Sequence, residues 1–454
     1  MQVVVPGLPI ARSWPATAKG LDLDPHISCT CATTAKGKRM WLLDKMLAGY
    51  VKKGELTVVD HKGRTYRYGA PDAEFRPVTV RIADGGVVRQ VARDPGLGAA
   101  EAFMDGRLVM EEGDILDLVN IIRGSHKWED SVGTNKFLRK GGRIRHAISQ
   151  LNWRKAARRN VAHHYDVGND FYRLFLDANL QYSCGYFTDL SHSIEQAQLD
   201  KMTHVAAKLR LRPGLRVLDI GCGWGGLALH LHKVGDVDVL GITLSKEQLE
   251  VARKRAADAG VSDRVKFELI DYRDVTGRFD RVASIGMLEH VGQPFYQTYF
   301  KKVRELLADD GVAVIHTMAR LGGPGTTDKF MQKYIFPGGY LPALSEIVAA
   351  SEQQKLIMAD CETWRLHYVH TLSRWYERFR RHEPEIVAMY DERFYRLWQF
   401  YLAVSLTMFR DAAMGVYQIQ YLRRREATPL TRDYMYEEER VLRARAGAPP
   451  EPVA

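Results

Sequence analysis

A chain of 454 residues is long enough for two or three domains and for at least one sizeable core. Apolar residues make up 46% and charged residues 26%, a balance that excludes a mostly disordered chain. Lys and Arg number 65 against 55 Asp and Glu, a formal charge of +10, which points to an anionic partner, either nucleic acid or an acidic membrane surface.

Taken in chain order, residues 1–39 are rich in proline (Pro6, Pro9, Pro15, Pro25) and read as a disordered extension, with Met40 a candidate start. They hold no apolar run behind a basic segment, so no secretory signal is expected. Nor is a transmembrane helix, because every apolar stretch meets a charge or a glycine well before eighteen residues. Cys29, Cys31, Cys184, Cys222 and Cys361 are odd in number and scattered, as reduced cytosolic thiols are. The Cys29-x-Cys31 pair has too few neighbours for a metal site, and no metal is expected.

Residues 40–130 read as a small α+β domain. A helix at WLLDKMLAGY precedes strands at ELTVVD, TYRYG and VTVRIA, with a turn at 60–63. A helix near 99–104, a strand at 107–110 and a helix at 114–122 complete it. Residues 131–160 form a basic linker: between Asp130 and Asp166 there is no acid, but Lys136, Arg139, Lys140, Arg143, Arg145, Arg154, Lys155, Arg158 and Arg159 are present. Ile144, Ile148 and Leu151 recur at helical spacing there, so an amphipathic helix on a lipid surface is expected. Nucleic acid is not expected, since no zinc-finger, RNA-recognition or helix-turn-helix pattern accompanies the charge.

From about residue 195 strands alternate with helices. LRVLDI, VDVLGITL, VKFELI, RVASIGM and VAVIHTM are separated by helical stretches such as 246–259 and 295–307. That alternation predicts an α/β fold with a doubly wound parallel sheet. Beyond residue 340 the chain reads as mostly helical and aromatic. The catalytic domain is expected over 161–432, and 433–454 as a frayed tail.

The run Val217-Leu218-Asp219-Ile220-Gly221-Cys222-Gly223-Trp224-Gly225-Gly226 is strand, turn and helix start. Its glycines allow a sharp turn and close approach to a ligand at the carboxyl end of the first strand. They also fit the dinucleotide fingerprint. That fingerprint needs an acid at the end of strand two, where this chain has Gly241-Ile242-Thr243. Asp219, two residues before the first glycine, instead suits the amino-acid end of S-adenosylmethionine.

Seven ordered motifs carry a resemblance. They are His164–Phe171, Gln181–Cys184, Leu218–Gly226, Asp271–Asp274, Gly286–Gly292, Tyr334–Gly339 and Trp375–Phe379. From Asn160 to Arg425 the chain resembles the cyclopropane-fatty-acid synthases and mycolic-acid methyltransferases, and 40–124 resembles the small N-terminal domain of the bacterial synthases. The resemblance implies a Rossmann-like class I methyltransferase domain with a helical lipid-binding cap. It places the methyl donor against Tyr182 and Ser183, the loop from Val217 through Asp219, Gly221 and Gly223 to Gly225, then Thr243, Leu244 and Gln248, with Tyr272 and Arg273 at the adenine edge; Asp271 beside them is expected to accept from the adenine amino group, and Ile285 is a further expected donor contact. It also implies a bound bicarbonate as base, held by Cys184, Glu289, His316 and Tyr376.

Attack of an isolated alkene on a sulfonium methyl builds positive charge on chain carbons. The site must therefore align the partners, exclude water and stabilise a cation, for which the late aromatic rings are suited. A base then removes a proton from the added methyl so that a ring closes. The resemblance thus implies cyclopropane formation on unsaturated acyl chains of membrane phospholipids. The alternatives are methyl- or methylene-branched products and a non-catalytic lipid-binding protein. Two departures stand out: Ser405 replaces a cysteine common in the family, and Met318 an isoleucine. A cytoplasmic enzyme lying on the inner face of the membrane, as a homodimer, is the accompanying expectation.

Overall fold

The computed structural model describes residues 41–124, 127–130 and 167–447. The N-terminal extension, residue Met40, the basic run 131–160 and the last seven residues lie outside the described residues.

The first unit is built on a four-stranded sheet of order β2-β1-β3-β4. Strands β1 (Leu56–Val59) and β2 (Thr65–Tyr68) form a hairpin. Asp60 closes its turn by accepting from the amides of Lys62 and Arg64, and Gly63 supplies the positive φ of +77°. Strand β3 (Val78–Ile82) runs parallel to β1, and β4 (Leu108–Glu112) antiparallel to β3. Helices Gly85–Arg93 and Pro95–Met104 are capped by Asp84 and Asp94, each satisfying an otherwise orphaned amide. Val58, Val80, Val87 and Ile121 form part of this unit's core.

The second unit holds a seven-stranded sheet of order β10-β11-β9-β8-β5-β6-β7. Strands β5 (Arg216–Ile220), β6 (Asp238–Thr243), β7 (Val265–Leu269), β8 (Phe279–Ile285) and β9 (Leu307–Arg320) are mutually parallel. Helices cover both faces, and the strands are correspondingly buried: four of the five residues of β5 and five of the seven of β8. The order reverses at β5, flanked by β6 and β8, so a crevice opens at its carboxyl end.

One expectation is completed and one corrected. Beyond residue 340 the described chain is mostly helical, as expected, but it also adds β10 (Ile357–Trp364) and the antiparallel β11 (Met414–Leu422), which is inserted between β9 and β10. In β11 both faces are buried, and Gln418 and Gln420 sit fully inside among Val, Tyr and Ile; the polar positions break the apolar run that marks a central strand. The tail, by contrast, is not frayed throughout. Residues Asp433–Ala446 form a helix that buries Tyr434, Met435, Leu442 and Ala446 against the helix Ile194–Lys208.

Between β10 and β11 stand the aromatic helices His367–Arg381, Glu383–Met389 and Glu392–Asp411. The N-terminal unit docks on them and on residues 328–334. Phe103 meets Phe400 at 6.3 Å between ring centroids. Ion pairs surround this contact: Lys333 with Glu101 at 2.6 Å, Arg393 with Asp105 at 2.9 Å, Arg380 with Asp114 at 2.7 Å, and Lys329 with Asp94.

Candidate active site

The glycine loop closes the carboxyl end of β5. The amides of Gly221 and Cys222 both donate to the Ile242 carbonyl at 2.9 Å, and Gly221, Gly223 and Gly225 have φ of +82°, +53° and +81°. The three glycines do different things. A Cβ on Gly225 would lie 2.6 Å from the Phe267 ring, whereas one on Gly223 would meet nothing within 4 Å. Gly225 lets the helix Gly226–Gly235 approach the sheet; Gly223 leaves space open in front of the loop.

That space is a pocket. It is lined by Tyr182, Ser183, Asp219, Gly221, Gly223, Thr243, Leu244, Gln248, Tyr272 and Ile285, together with Trp224, Ile270, Met287 and His290. Asp219 is buried and its Oδ2 has no hydrogen-bond partner. Burial pushes its carboxyl up to about 7 against the pull of Lys201, as expected for a carboxylate awaiting a cationic guest. Across the pocket the Thr243 hydroxyl donates to Gln248 Oε1 at 3.1 Å, which orients the Gln248 amide.

Four of the expected donor contacts are placed otherwise. Val217 is fully buried inside β5, and Gly225 abuts Phe267; neither lines the pocket. Asp271 does not face it either: its carboxylate accepts from Arg273 Nε at 2.8 Å and Arg273 Nη2 at 2.6 Å. The guanidinium that would share the adenine edge is thereby held by its neighbour, and Ile270 and Tyr272 supply the wall.

The four expected catalytic groups are dispersed around this pocket. Glu289 begins a short helix after β8, next to the pocket residue His290. It is 3% exposed; Oε1 accepts from the Met318 amide at 2.6 Å, and Oε2 has no partner among the described residues. Burial pushes its carboxyl up to about 7, opposed by backbone amides and the Thr317 hydroxyl. His316 lies on β9 directly beside Ile285 of β8. Its Nδ1 is 3.4 Å from Gln418 Nε2, its ring stands edge-on to Trp364 at 4.9 Å, and burial keeps it neutral. Cys184 is buried beside Ser183, its thiol pushed up by burial.

Tyr376 lies where the N-terminal unit docks. Its hydroxyl donates to Asp114 of the N-terminal unit at 3.1 Å and accepts from Gln399 at 3.4 Å, so the docking contact holds it. On the same helix, Tyr368 packs against Trp375 and Phe409 at 5.9 and 4.6 Å between centroids. Tyr182 bonds Tyr401 at 2.9 Å and packs between Tyr172 and Trp375, with centroids at 5.4 and 5.3 Å. An aromatic wall thus adjoins the pocket mouth. Lys201, which the sequence reading passed over, is buried behind this wall with its Nζ on Gln181 and Ser183. Its neighbours on that helix face include the polar Gln198, His204 and Lys208, so no local pattern marks it.

The model of the family described as mycolic acid cyclopropane synthetase matches residues 152–419. A probable fatty acid methyltransferase of Pseudomonas putida is 35% identical over 79% of this chain and 91% of its own length. The cyclopropane-fatty-acyl-phospholipid synthase of Escherichia coli K12 is 36% identical over 76% and 88%. The chain belongs to the mycolic acid cyclopropane synthetase family. Among solved structures, the cyclopropane synthase MmaA2 from Mycobacterium tuberculosis superposes with a TM-score of 0.56 at 31% identity, over 58% of this chain and 98% of that one. A mycolic acid cyclopropane synthase, CmaA1, solved with SAH and CTAB, gives the same TM-score and coverage.

A member of this synthetase family is an S-adenosylmethionine-dependent methyltransferase, and the pocket suits that donor. The open face of Gly223, the unpaired Asp219 oxygen and the Gln248 amide, bonded to Thr243, all border the pocket.

Proposed function

We propose that this enzyme forms cyclopropane rings on unsaturated acyl chains of phospholipids. The observation that carries the reading is Glu289: a buried carboxyl with one unpartnered oxygen, one residue from the donor pocket. A buried polar atom without a partner is rare and calls for a guest.

Bound against Tyr182, Ser183, Asp219 and Gln248, the donor supplies an electrophilic sulfonium methyl. The alkene's π pair forms the new carbon–carbon bond as the sulfur–methyl bond breaks toward sulfur. Tyr182 and Trp224, aromatic residues of the pocket wall, are suited to stabilise the cation left on the acyl chain. Loss of a proton from the added methyl lets its C–H pair close the ring. Glu289, His316 and Cys184 support a bicarbonate as acceptor of that proton; at a carboxyl shifted to about 7, Glu289 can carry the proton needed to hydrogen-bond an anion. Tyr376 does not fit this set, because Asp114 engages its hydroxyl.

The E. coli relative's name supports phospholipid acyl chains as substrate. No helix among the described residues is long and apolar enough to cross a membrane, and contact with lipid is assigned to the basic segment 131–160. Peripheral association with the inner face of the membrane and a homodimer belong to the same proposal. A second reading, methyl-branched products, is favoured by the fatty acid methyltransferases among the relatives. Lipid mass analysis of cells expressing the enzyme decides between them. A gain of one CH₂ with the retention of a ring standard supports cyclopropanation, and the retention of a branched standard supports the second reading. Glu289→Gln should keep donor affinity and lower turnover by about 10²-fold or more; turnover near wild type would assign the base elsewhere.

A further inference from the structure

Lys201 sits in the middle of the helix Ile194–Lys208, with none of its surface exposed. Its ammonium donates to Gln181 Oε1 at 2.6 Å and to Ser183 Oγ at 2.8 Å. Among the described residues no carboxylate oxygen lies within 4 Å of it. Two neutral oxygens are poor compensation for a buried cation, which normally neutralises or finds an anion. Burial pulls its pKa down to about 8, while Asp177, Cys184 and Asp219 pull it back up.

The position of Ser183 suggests where the missing anion goes. Ser183 lines the donor pocket on one side and receives the Lys201 ammonium on the other. A hydroxyl that accepts from an ammonium has its own proton free to point away, here toward the pocket. Asp219 lines the same pocket and keeps Oδ2 unpaired. The donor's amino-acid end carries one carboxylate and one ammonium. Lysine, carboxylate, ammonium and aspartate would then alternate in sign, each charge next to an opposite one.

We propose that Lys201 is a positioning residue for the methyl donor, acting through the Ser183 hydroxyl on the donor's carboxylate while Asp219 receives the donor's ammonium. The inference rests on the donor site proposed above and adds a charge that none of its wall residues supplies. Its use is geometric. A clamped amino-acid end fixes the direction of the sulfonium methyl, and in-line transfer depends on that direction.

The test compares two donors by titration calorimetry on the full chain: S-adenosylmethionine and decarboxylated S-adenosylmethionine, which lacks only the carboxylate. Wild type should prefer the first by about 10- to 100-fold, the scale of a hydrogen bond to a charged group. Lys201→Met should reduce that preference to about twofold by weakening S-adenosylmethionine and sparing the analogue. Donor KM should rise more than kcat falls, and Lys201→Arg should restore part of the preference. Ser183→Ala, which keeps the lysine and removes the link, should lose the preference as well. If Lys201→Met does not fold, Lys201→Gln, neutral but still able to donate to Ser183, takes its place. Equal weakening of both donors, or a preference unchanged in the lysine or the serine variant, overturns the proposal. Wild type binding neither donor would instead overturn the donor site itself.

Discussion

At the scale of single residues, the glycine loop separates ligand space from packing space. Gly223→Val puts a β-branched side chain into the open face of the pocket and into a φ of +53° that such residues avoid. The expected outcome is a loss of S-adenosylmethionine affinity of about 100-fold or more by calorimetry, with a cooperative melt retained. Gly225→Ala is the contrast, because its methyl would collide with Phe267 and Ala252. It should lower the melting temperature first, and binding only as the fold loosens. Asp219 and Glu289 are both buried and both pushed up by burial to about 7. Their sequence neighbours alone give no hint that each keeps an unpaired oxygen.

At the scale of elements, two helices are tied down by polar contacts that the chain order hides. In the helix His367–Arg381, Tyr376 joins Asp114 across to the N-terminal unit. Tyr376→Phe should cost about 1 kcal/mol of stability, one hydrogen bond's worth, and leave turnover within about twofold. Tyr182→Phe, which breaks the bond to Tyr401 at the pocket wall, should lower kcat more; the reverse ranking in steady-state assays would place Tyr376 in the catalytic set. The helix Asp433–Ala446 is held by His204, whose Nδ1 meets Glu439 at 2.9 Å while Nε2 meets Glu362 at 2.8 Å. With a carboxylate on each nitrogen, the imidazole is held as a cation. Burial opposes its charge, but the two acids win and raise its pKa above 6.5. Stability from His204 is therefore complete below pH 6.5 and is lost as pH rises through the raised value. The acids are lowered below 4.5, despite burial, by His204 and, for Glu362, Lys208; their contribution is present above 4.5 and lost as pH falls. The opening free energy of Asp433–Ala446, taken from amide exchange corrected for the pH dependence of the intrinsic rate, should be largest between about pH 4.5 and 6.5 and smaller toward pH 8.5. In His204→Gln the alkaline loss should disappear; an unchanged profile would remove His204 as its source.

At the scale of the whole molecule, the charge of +10 gives the proposed lipid contact a salt-dependent test. Activity on vesicles rich in anionic lipid should fall as salt rises from 0.05 to 0.5 M (about a 13 Å to a 4 Å screening length). Replacing Arg154, Lys155, Arg158 and Arg159 with Gln removes about 1 kcal/mol of attraction per residue near such a surface. Flotation should show partitioning weakened by about two to three orders of magnitude at low salt, with calorimetric donor affinity unchanged. The ion pairs joining the N-terminal unit to residues 329–333 and 380–393 are largely exposed and individually weak. Donor affinity that fell in parallel with partitioning would point to that joint instead of the lipid surface.

The sequence by itself determined the parallel sheet from β5 to β9, the glycine loop and most of the donor pocket. These are local features: buried parallel strands are apolar runs, and a loop that must turn under a ligand is written in consecutive glycines. What the tertiary structure decided is contact between distant segments. Strand β11 is buried on both faces yet carries Gln418 and Gln420, whose acceptability depends on partners such as Lys208 and Tyr434. The C-terminal helix is ordered because its apolar side and Glu439 find the helix Ile194–Lys208. Tyr376 was legible as a motif tyrosine, but its hydroxyl went to Asp114, 262 residues away in sequence. Lys201 was illegible altogether, since a lysine's burial is fixed by what surrounds it, and Ser183 and Gln181 reach it from another turn of the chain. Periodicity and motif specify backbone shape and residue type; which polar atom meets which depends on packing that no local window contains.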